Sequence, residues 1–493
     1  MYYYLAAIFA FVSYFLYKCY IYPLYLSPLR KIPGPPIDNM ILGHYSTLLK
    51  KDQGKAFSYL AKQYGGIVRY HIILNKPYLL ITDPKLVQMI LMSRSYDFLR
   101  FDSNKAVVKE LIGEGIILAE GNNHKRQRKM MSPSFAFANV KEMTPTFVQA
   151  GHSLKDVWMK KVGNKKEERI TITDVISKVT LDVIGHVGFN YNFNSTTTES
   201  ELYKAYNFVT YRNRTPLYMA ITDLLPFIRK FPTSDNNKYY DYLKTIYNVS
   251  EKLLAEQKNN PVRGTDLMSL LANANDSLPV DEQLTHKELV SQVMTLLLAG
   301  HETTSVTLSW ALYFLAANPD IQDRLRKEIL DIFPDRDYHP TFDQIEHLKF
   351  LECVFKEVLR ISPPVTSLLR TNVKDEIFNG YFIPKNTPLA ISIYAIHHDP
   401  SIWGDDAEHF NPSRWLNPEI KSNITNSNFI PFNTGPRSCL GMRMAYSEFK
   451  SILAVIIRNF EFKLVEGFTF ERKFVGIIKP IPGIDLLVSK VNY

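Results

Sequence analysis

Hydrophobic and polar positions divide the chain into stretches with different periods. Tyr2 to Tyr17 holds no charged residue and is rich in Tyr, Phe, Ala, Ile and Leu. Sixteen residues of helix span about 24 Å, slightly less than a membrane's hydrocarbon core. Lys18 can snorkel, Cys19 to Leu29 continues the apolar character, and the tyrosines suit both interfaces. Arg30 and Lys31 follow, which predicts a body on the cytosolic side. A cleaved signal peptide would need a basic start and a small-residue cleavage site, and neither is evident. Ile32-Pro33-Gly34-Pro35-Pro36 then stops any helix and stiffens the chain. The expected organisation is an anchor over 1–29, a basic and proline-rich hinge over 30–36, and one body over 37–493 without a convincing internal boundary or repeat.

Within the body, Ile67 to Ile73 and Tyr78 to Thr82 read as two strands around Asn75-Lys76-Pro77, a hairpin. Asp83-Pro84 caps a short helix that runs to Met92. From about Val140 to Asp331 helical periodicity dominates, interrupted by polar turns at Asn192 to Ser200 and Asn273 to Pro279. Val293 to Leu315 is an apolar helix. Phe378 to Pro384 and Thr387 to Ile393 read as another strand pair.

Composition narrows the class. The 493 residues are 46% hydrophobic, enough for a sizeable core. Cys19, Cys353 and Cys439 are too few and too far apart for a disulfide framework and fit a reducing compartment. The net charge of +9 suits an anionic membrane surface or an acidic protein partner. No concentrated basic arm and no nucleic-acid motif is present, so nucleic acid is not an expected partner.

The segment with the most chemistry is Phe432-Asn433-Thr434-Gly435-Pro436-Arg437-Ser438-Cys439-Leu440-Gly441. A thiolate needs a metal or positive surroundings to persist at neutral pH. A single cysteine is by default a buried structural residue. Here five spaced residue types coincide around it, and the segment closely resembles the heme-ligand loop of the cytochrome P450 family, F-x-x-G-x-R-x-C-x-G, with every fixed position matched. The resemblance implies heme b (iron protoporphyrin IX) with Cys439 as its axial metal ligand; thiolate ligation is a known property of that family. It further implies that Phe432, Gly435, Arg437 and Gly441 serve the cofactor. The glycines would let backbone approach a flat macrocycle, and Arg437 would pair with a propionate. The implied fold is mainly α with a small β region (α+β), preceded by one transmembrane helix.

Four further motifs fit the resemblance. Ala299-Gly300-His301-Glu302-Thr303-Thr304 lies inside the apolar helix and resembles the family's oxygen-activation pattern, A-G-x-[DE]-T. It implies catalytic roles for Glu302 and Thr303 in proton delivery, with Ala299 and Gly300 permitting a local bulge. On the residues alone, both side chains could equally satisfy helix backbone. A zinc-protease helix is excluded because position 305 is Ser, not His. Glu357 and Arg360 share one helix face. With Arg414 they resemble the family's buried charged triad, although Ser413 stands where Glu is usual. His124 and Arg128 stand at the positions of the family's W-x-x-x-R propionate pair, with His in place of Trp and a charge that varies near neutral pH. Arg370 resembles another propionate-binding position. Lys125, Arg126 and Lys129 are either a solvated face or a docking site for an acidic electron donor.

By family analogy the substrate pocket includes Phe98, Phe101, Leu298, Val365, Leu368 and Ile477, all apolar, which points to a lipophilic organic substrate. These positions could equally fill core. The expected function is a heme-thiolate monooxygenase of the endoplasmic reticulum membrane, single-pass with a cytosolic catalytic domain, using O2. Electrons would come from NADPH through a separate flavoprotein reductase, with a b-type cytochrome as an additional candidate donor. A peroxide isomerase or dehydratase is disfavoured by the intact Glu302-Thr303 pair, and a non-catalytic heme sensor would have no use for it. Asn194, Asn213, Asn248, Asn275 and Asn423 each open an N-glycosylation acceptor pattern, which a cytosolic body would leave unmodified.

Overall fold

A computed structural model describes residues 1–50, 52–100, 105–211, 218, 221–222, 225–259, 264–474 and 476–491. Its longer helices are α1 (Tyr2–Leu16), α2 (Gln53–Tyr64), α3 (Gly121–Met131), α4 (Phe137–Val162), α5 (Ile172–Phe189), α6 (Glu201–Tyr211), α7 (Ser234–Asn259), α8 (His286–Ala317), α9 (Pro319–Ile332), α10 (Lys349–Ile361) and α11 (Met442–Asn459). The strands are β1 (Ile67–His71), β2 (Pro77–Ile81), β3 (Phe98–Arg100), β4 (Glu168–Thr171), β5 (Ser367–Asn372), β6 (Glu376–Phe378), β7 (Tyr381–Ile383), β8 (Pro388–Ser392), β9 (Phe460–Leu464), β10 (Glu471–Phe474), β11 (Ile478–Ile481) and β12 (Asp485–Lys490). The molecule is mainly helical with small sheets, as expected.

α8 is the axis of the fold. Its start is fixed by a capping box in which Thr285 and Glu288 satisfy each other's backbone N–H groups. One apolar cluster (Trp158, Trp310, Leu351, Val354, Ile456) and a second (Phe147, Leu181, Ile246, Leu297) both draw on α8. α5 packs along α8, and α4 packs along α11, so the helix after Cys439 is held by the same core. A helix apolar on most sides must be buried.

The five-stranded sheet has the order β1-β2-β8-β5-β3. β1 and β2 form the expected hairpin. Asp83 caps the short helix Pro84–Gln88 by accepting from the Lys85 and Leu86 N–H groups. Two expectations are corrected. Phe378 to Pro384 does not pair with Thr387 to Ile393. Instead β6 pairs with β7 across an Asn379-Gly380 turn with positive φ at both residues, while β8 lies between β2 and β5. The helical stretch after Val140 also contains a strand, β4, which pairs with β12.

The N-terminal segment Tyr2–Lys31 is one 30-residue helical stretch, long and apolar enough to cross a membrane. Its end is tied to the body. Leu29 and Ile32 are buried against the five-stranded sheet, and Arg69 N–H donates to the Pro33 carbonyl at 2.8 Å. The proline-rich stretch therefore lies along the edge of β1.

Candidate active site

The loop before α11 is shaped by its own hydrogen bonds. Cys439 N–H donates to the Phe432 carbonyl at 2.8 Å and Ser438 N–H to the Gly435 carbonyl at 3.0 Å. The Asn433 amide donates to the Arg437 carbonyl at 3.0 Å. Gly435 has φ +70°, and a Cβ there would lie 2.4 Å from the Leu91 carbonyl oxygen. A chain crossing alone therefore requires glycine here. At Gly441 a Cβ would meet only the Phe135 ring, at 3.8 Å. Phe432 is half-buried against Phe355 and Tyr446.

Cys439 is solvent-exposed, yet enough protein surrounds it that burial raises its thiol pKa, against the lowering effects of the Gly441 N–H and Arg128. Beside it stands a cluster of guanidinium groups. Arg128 of α3 donates to the Ser438 carbonyl and, at 3.1 Å, to the Ser438 hydroxyl. Arg437 pairs with Glu120 and donates to the Ala119 carbonyl at 2.9 Å. Arg370 of β5 and Arg100 of β3 lie opposite each other in register. Arg370 donates only to the Leu369 carbonyl, at 2.8 Å. Its Nη2, the Arg100 Nε and the Arg437 Nε are buried without partners. Burial, then repulsion from Arg100 and Arg437, lowers the Arg370 pKa to about 9. Burial and Arg437 lower Arg100 to about 10. Among the described residues, Glu120 is the one carboxylate within this set of four guanidiniums. Buried positive charge with donors left over is costly unless an anion completes it. These residues would fit a cofactor with a thiolate-binding metal at Cys439 and acidic substituents at the arginines.

His124 donates to or accepts from the Tyr96 hydroxyl, with Nδ1 3.0 Å away. Burial and then Arg437, Arg128 and Arg100 lower its pKa to about 4. Its charge therefore does not vary near neutral pH, contrary to expectation; the imidazole is neutral there. Within the basic run, Arg126 is committed to Glu288 and to the Gln283 carbonyl (2.8 Å), whereas Lys125 and Lys129 are exposed.

On α8, Leu298, Ala299, Gly300 and Thr303 are half-buried, while His301, Glu302, Thr304 and Ser305 are buried. Between Leu289 and Leu312 these four half-buried positions are the only ones on α8 not fully covered. Thr303 donates to the Ala299 carbonyl at 2.8 Å. The helix is continuous, so the expected bulge is absent. A Cβ on Gly300 would lie 2.7 Å from Ile184, so this glycine lets α5 approach. Glu302 leaves the helix about 100° from Thr303. It pairs with Lys479, accepts from Thr210 at 3.1 Å, and lies 3.5 Å from His301 Nε2. Burial works to raise its pKa, but Lys479 and His301 outweigh it and leave the carboxyl at about 2.

Glu357 and Arg360 of α10 and Arg414 form the expected buried set. Arg360 donates to Glu357 at 3.0 and 2.8 Å, and Arg414 Nε donates to it at 2.9 Å. Arg360 also holds the carbonyls of His397, Ala407 and His409. Two members were missed from sequence: Asp406, which pairs with Arg414, and Trp415, whose indole donates to Glu357 at 2.9 Å. Ser413 accepts from Arg324 at 2.9 Å, and Asp406 supplies Arg414 with its second carboxylate.

The model of the family described as Cytochrome P450 matches residues 33–488. The chain belongs to the cytochrome P450 family. Among curated proteins, Cytochrome P450 monooxygenase 128 of Postia placenta is 30% identical over 495 residues, covering 92% of this chain and 90% of that protein. Cytochrome P450 monooxygenase sphH of Aspergillus fumigatus is 32% identical over 477 residues, with 92% and 86% covered. Cytochrome P450 monooxygenase FUM15 of Gibberella moniliformis is 29% identical over 533 residues, with 95% and 89% covered. This P450 is accordingly an oxidoreductase of the monooxygenase type, and its family's cofactor is a heme held by a cysteine thiolate.

Of the pocket residues expected for a P450, Leu298, Val365, Leu368 and Ile477 are half-buried. The Ile478 N–H donates to the Pro364 carbonyl at 2.9 Å, which brings the Val365 and Ile477 segments together. Phe98 is a correction. It is fully buried on Phe378, with ring centroids 6.3 Å apart, and belongs to the sheet core. Phe101 and Asn213 lie outside the described residues. Arg100 and Glu120 were missed. Arg100 enters by long-range strand pairing and Glu120 by side-chain contacts to Arg437 and the Arg100 N–H, neither of which a single sequence displays.

Proposed function

We propose that this P450 inserts one oxygen atom from O2 into a lipophilic substrate, with Cys439 as the thiolate ligand of heme b and electrons delivered from NADPH by a separate flavoprotein reductase. The observation that carries the reading is the exposed Cys439 thiol with Arg128 beside it and three further guanidiniums that share one carboxylate. When bound, the heme supplies the oxygen activation. The chain does the rest. Arg100, Arg128, Arg370 and Arg437 hold the acidic edge of the cofactor, and the Gly441 N–H moderates the thiolate charge. Leu298, Val365, Leu368 and Ile477 orient an apolar substrate and exclude water. Thr303 holds a proton at its Oγ1 on the half-buried face of α8, and Glu302, behind it, exchanges protons with that face. Glu357, Arg360 and Arg414 hold the loop that leads to Cys439.

The same proposal covers the architecture: an anchor over 1–29, a hinge over 30–36 and a catalytic domain over 37–493, in the endoplasmic reticulum membrane with the domain in the cytosol. The apolar length of Tyr2–Lys31 supports an anchor, and Arg30 and Lys31 after it support the orientation.

Turnover with and without reductase tests the reading. Product should require the reductase, and Thr303→Ala should divert oxygen to hydrogen peroxide while NADPH is still consumed. Reductase-independent product would point to peroxide rearrangement instead. Treatment of cell-expressed protein with an N-glycan-removing enzyme should leave its mobility unchanged; a shift would reverse the orientation.

A further inference from the structure

The Glu302 carboxylate is caught between three elements. Lys479 of β11 pairs with it. Lys479 also donates to Thr210 of α6 at 3.0 Å and lies over the Tyr211 ring, 4.0 Å from its centroid. The Thr210 hydroxyl lies 3.1 Å from Glu302 and 2.7 Å from the Tyr206 carbonyl, the two acceptors between which its one proton can turn. His301 fills the fourth side. Its Nδ1 donates to the Leu297 carbonyl at 2.5 Å, so its Nε2 is the nitrogen that faces Glu302. The Tyr206 ring packs against that imidazole with centroids 4.8 Å apart and planes tilted by 58°, and its hydroxyl is buried and unpartnered. Tyr203 and Asp174, hydrogen-bonded to each other, border the group.

Glu302, Lys479, His301 and Tyr206 are buried, whereas Thr210, Tyr211, Tyr203 and Asp174 are half-buried. Lys479 is 1% exposed and Glu302 5%. A lysine at such a site is costly unless it has a dedicated partner. Burial lowers the Lys479 pKa against the opposing pull of Glu302, and Lys479 with His301 in turn holds the buried carboxyl low. Among the described residues, no hydrogen bond joins Glu302 to Thr303, whose hydroxyl turns to Ala299.

We propose that Lys479 is a positioning residue that clamps the Glu302 carboxylate against β11 and the last turn of α6, so that Glu302 reaches the Thr303 face of α8 only when this clamp opens. The inference rests on the proton-handling reading of Glu302 above. It adds that the strand after the Gly476-Ile477 turn and the end of α6 jointly control when that acid is available. No new co-reactant is involved: the proton comes from water and returns to the oxygen-reduction chemistry that the enzyme already performs.

The test uses the full chain in membranes and has two readouts. The first is the infrared pH titration of the carboxyl C=O stretch, assigned to Glu302 by its loss in Glu302→Gln. Wild type and Lys479→Arg should show no protonated Glu302 near neutral pH. Lys479→Met should show it, because burial is then unopposed. The second readout is the split of oxygen between hydrogen peroxide and water during reductase-driven NADPH oxidation without added substrate. Lys479→Met should shift it severalfold, Lys479→Arg little, and Thr210→Val by a smaller amount in the same direction. Thr210→Val keeps the test available if Lys479→Met does not fold. A Lys479→Met or Thr210→Val protein with the wild-type titration and the wild-type split, while Glu302→Gln shifts the split, overturns the clamp. An unchanged split in Glu302→Gln overturns the proton role of Glu302 instead, and the titration then still decides whether Lys479 holds the carboxylate.

Discussion

Two buried charged clusters flank the Cys439 loop, and they are built on opposite principles. Around Glu357, the carboxylate accepts from Arg360, Arg414, Trp415 and the Asn411 N–H at 2.8–3.0 Å, and Asp406 supplies a second negative group. Nothing is left over at the carboxylate. Around Glu120, the guanidiniums of Arg437, Arg100 and Arg370 share one carboxylate, and three of their nitrogens have no partner. A cluster that holds a fold satisfies itself. A cluster that holds a ligand keeps donors in reserve, at a cost to the protein alone.

The largest expected effect lies in the self-satisfied cluster. Glu357→Ala strands two buried guanidiniums and should destabilise the protein by about 3–5 kcal/mol. Chemical denaturation should show this with or without bound heme. A loss seen only in the heme-loaded protein would erase the distinction between the clusters.

Arg370→Met should behave in the opposite sense. Without heme it removes an unpaired buried charge and should leave the protein as stable or more stable. Heme release should quicken, with affinity lower by roughly ten- to a hundredfold, the value of one or two charge-assisted hydrogen bonds. Destabilisation of the heme-free protein by this variant would mean that Arg370 serves the fold.

A smaller effect is carried by pH. His124 has a folded pKa of about 4, below its unfolded value. The unfolded chain therefore binds the extra proton first, and stability is lost as pH falls from about 6.5 towards 4. At pH 5 this residue should account for up to roughly 2 kcal/mol. His124→Gln should melt with a smaller difference between pH 7 and pH 5 than wild type. An equal difference would place the acid sensitivity elsewhere, for example at His397, which burial and Arg360 depress to about 3.

The same contrast explains what could be read from sequence. Glu357 and Arg360 lie three apart on one helix, and the Cys439 loop is contiguous, so local spacing displays both. Asn379-Gly380 is a local hairpin signal of the same legible kind, and it turns β6 into β7. Arg100 is a different case, because it meets Arg370 only through the β3–β5 register, 270 positions away. Lys479 finds Glu302 in the same way, across the whole catalytic half of the chain. Phe98 shows a further limit: an apolar strand residue looks the same whether it faces a pocket or the core, and only burial separates the two.

The central claim is that Cys439 supplies a thiolate to heme iron. The most direct test is the absorption spectrum of the reduced, carbon monoxide-bound full-length protein, compared with that of Cys439→His. Wild type should show the red-shifted band of thiolate ligation, and Cys439→His should lose it even where heme remains bound. A wild-type spectrum without that band, or a Cys439→His protein that keeps it, would contradict the account.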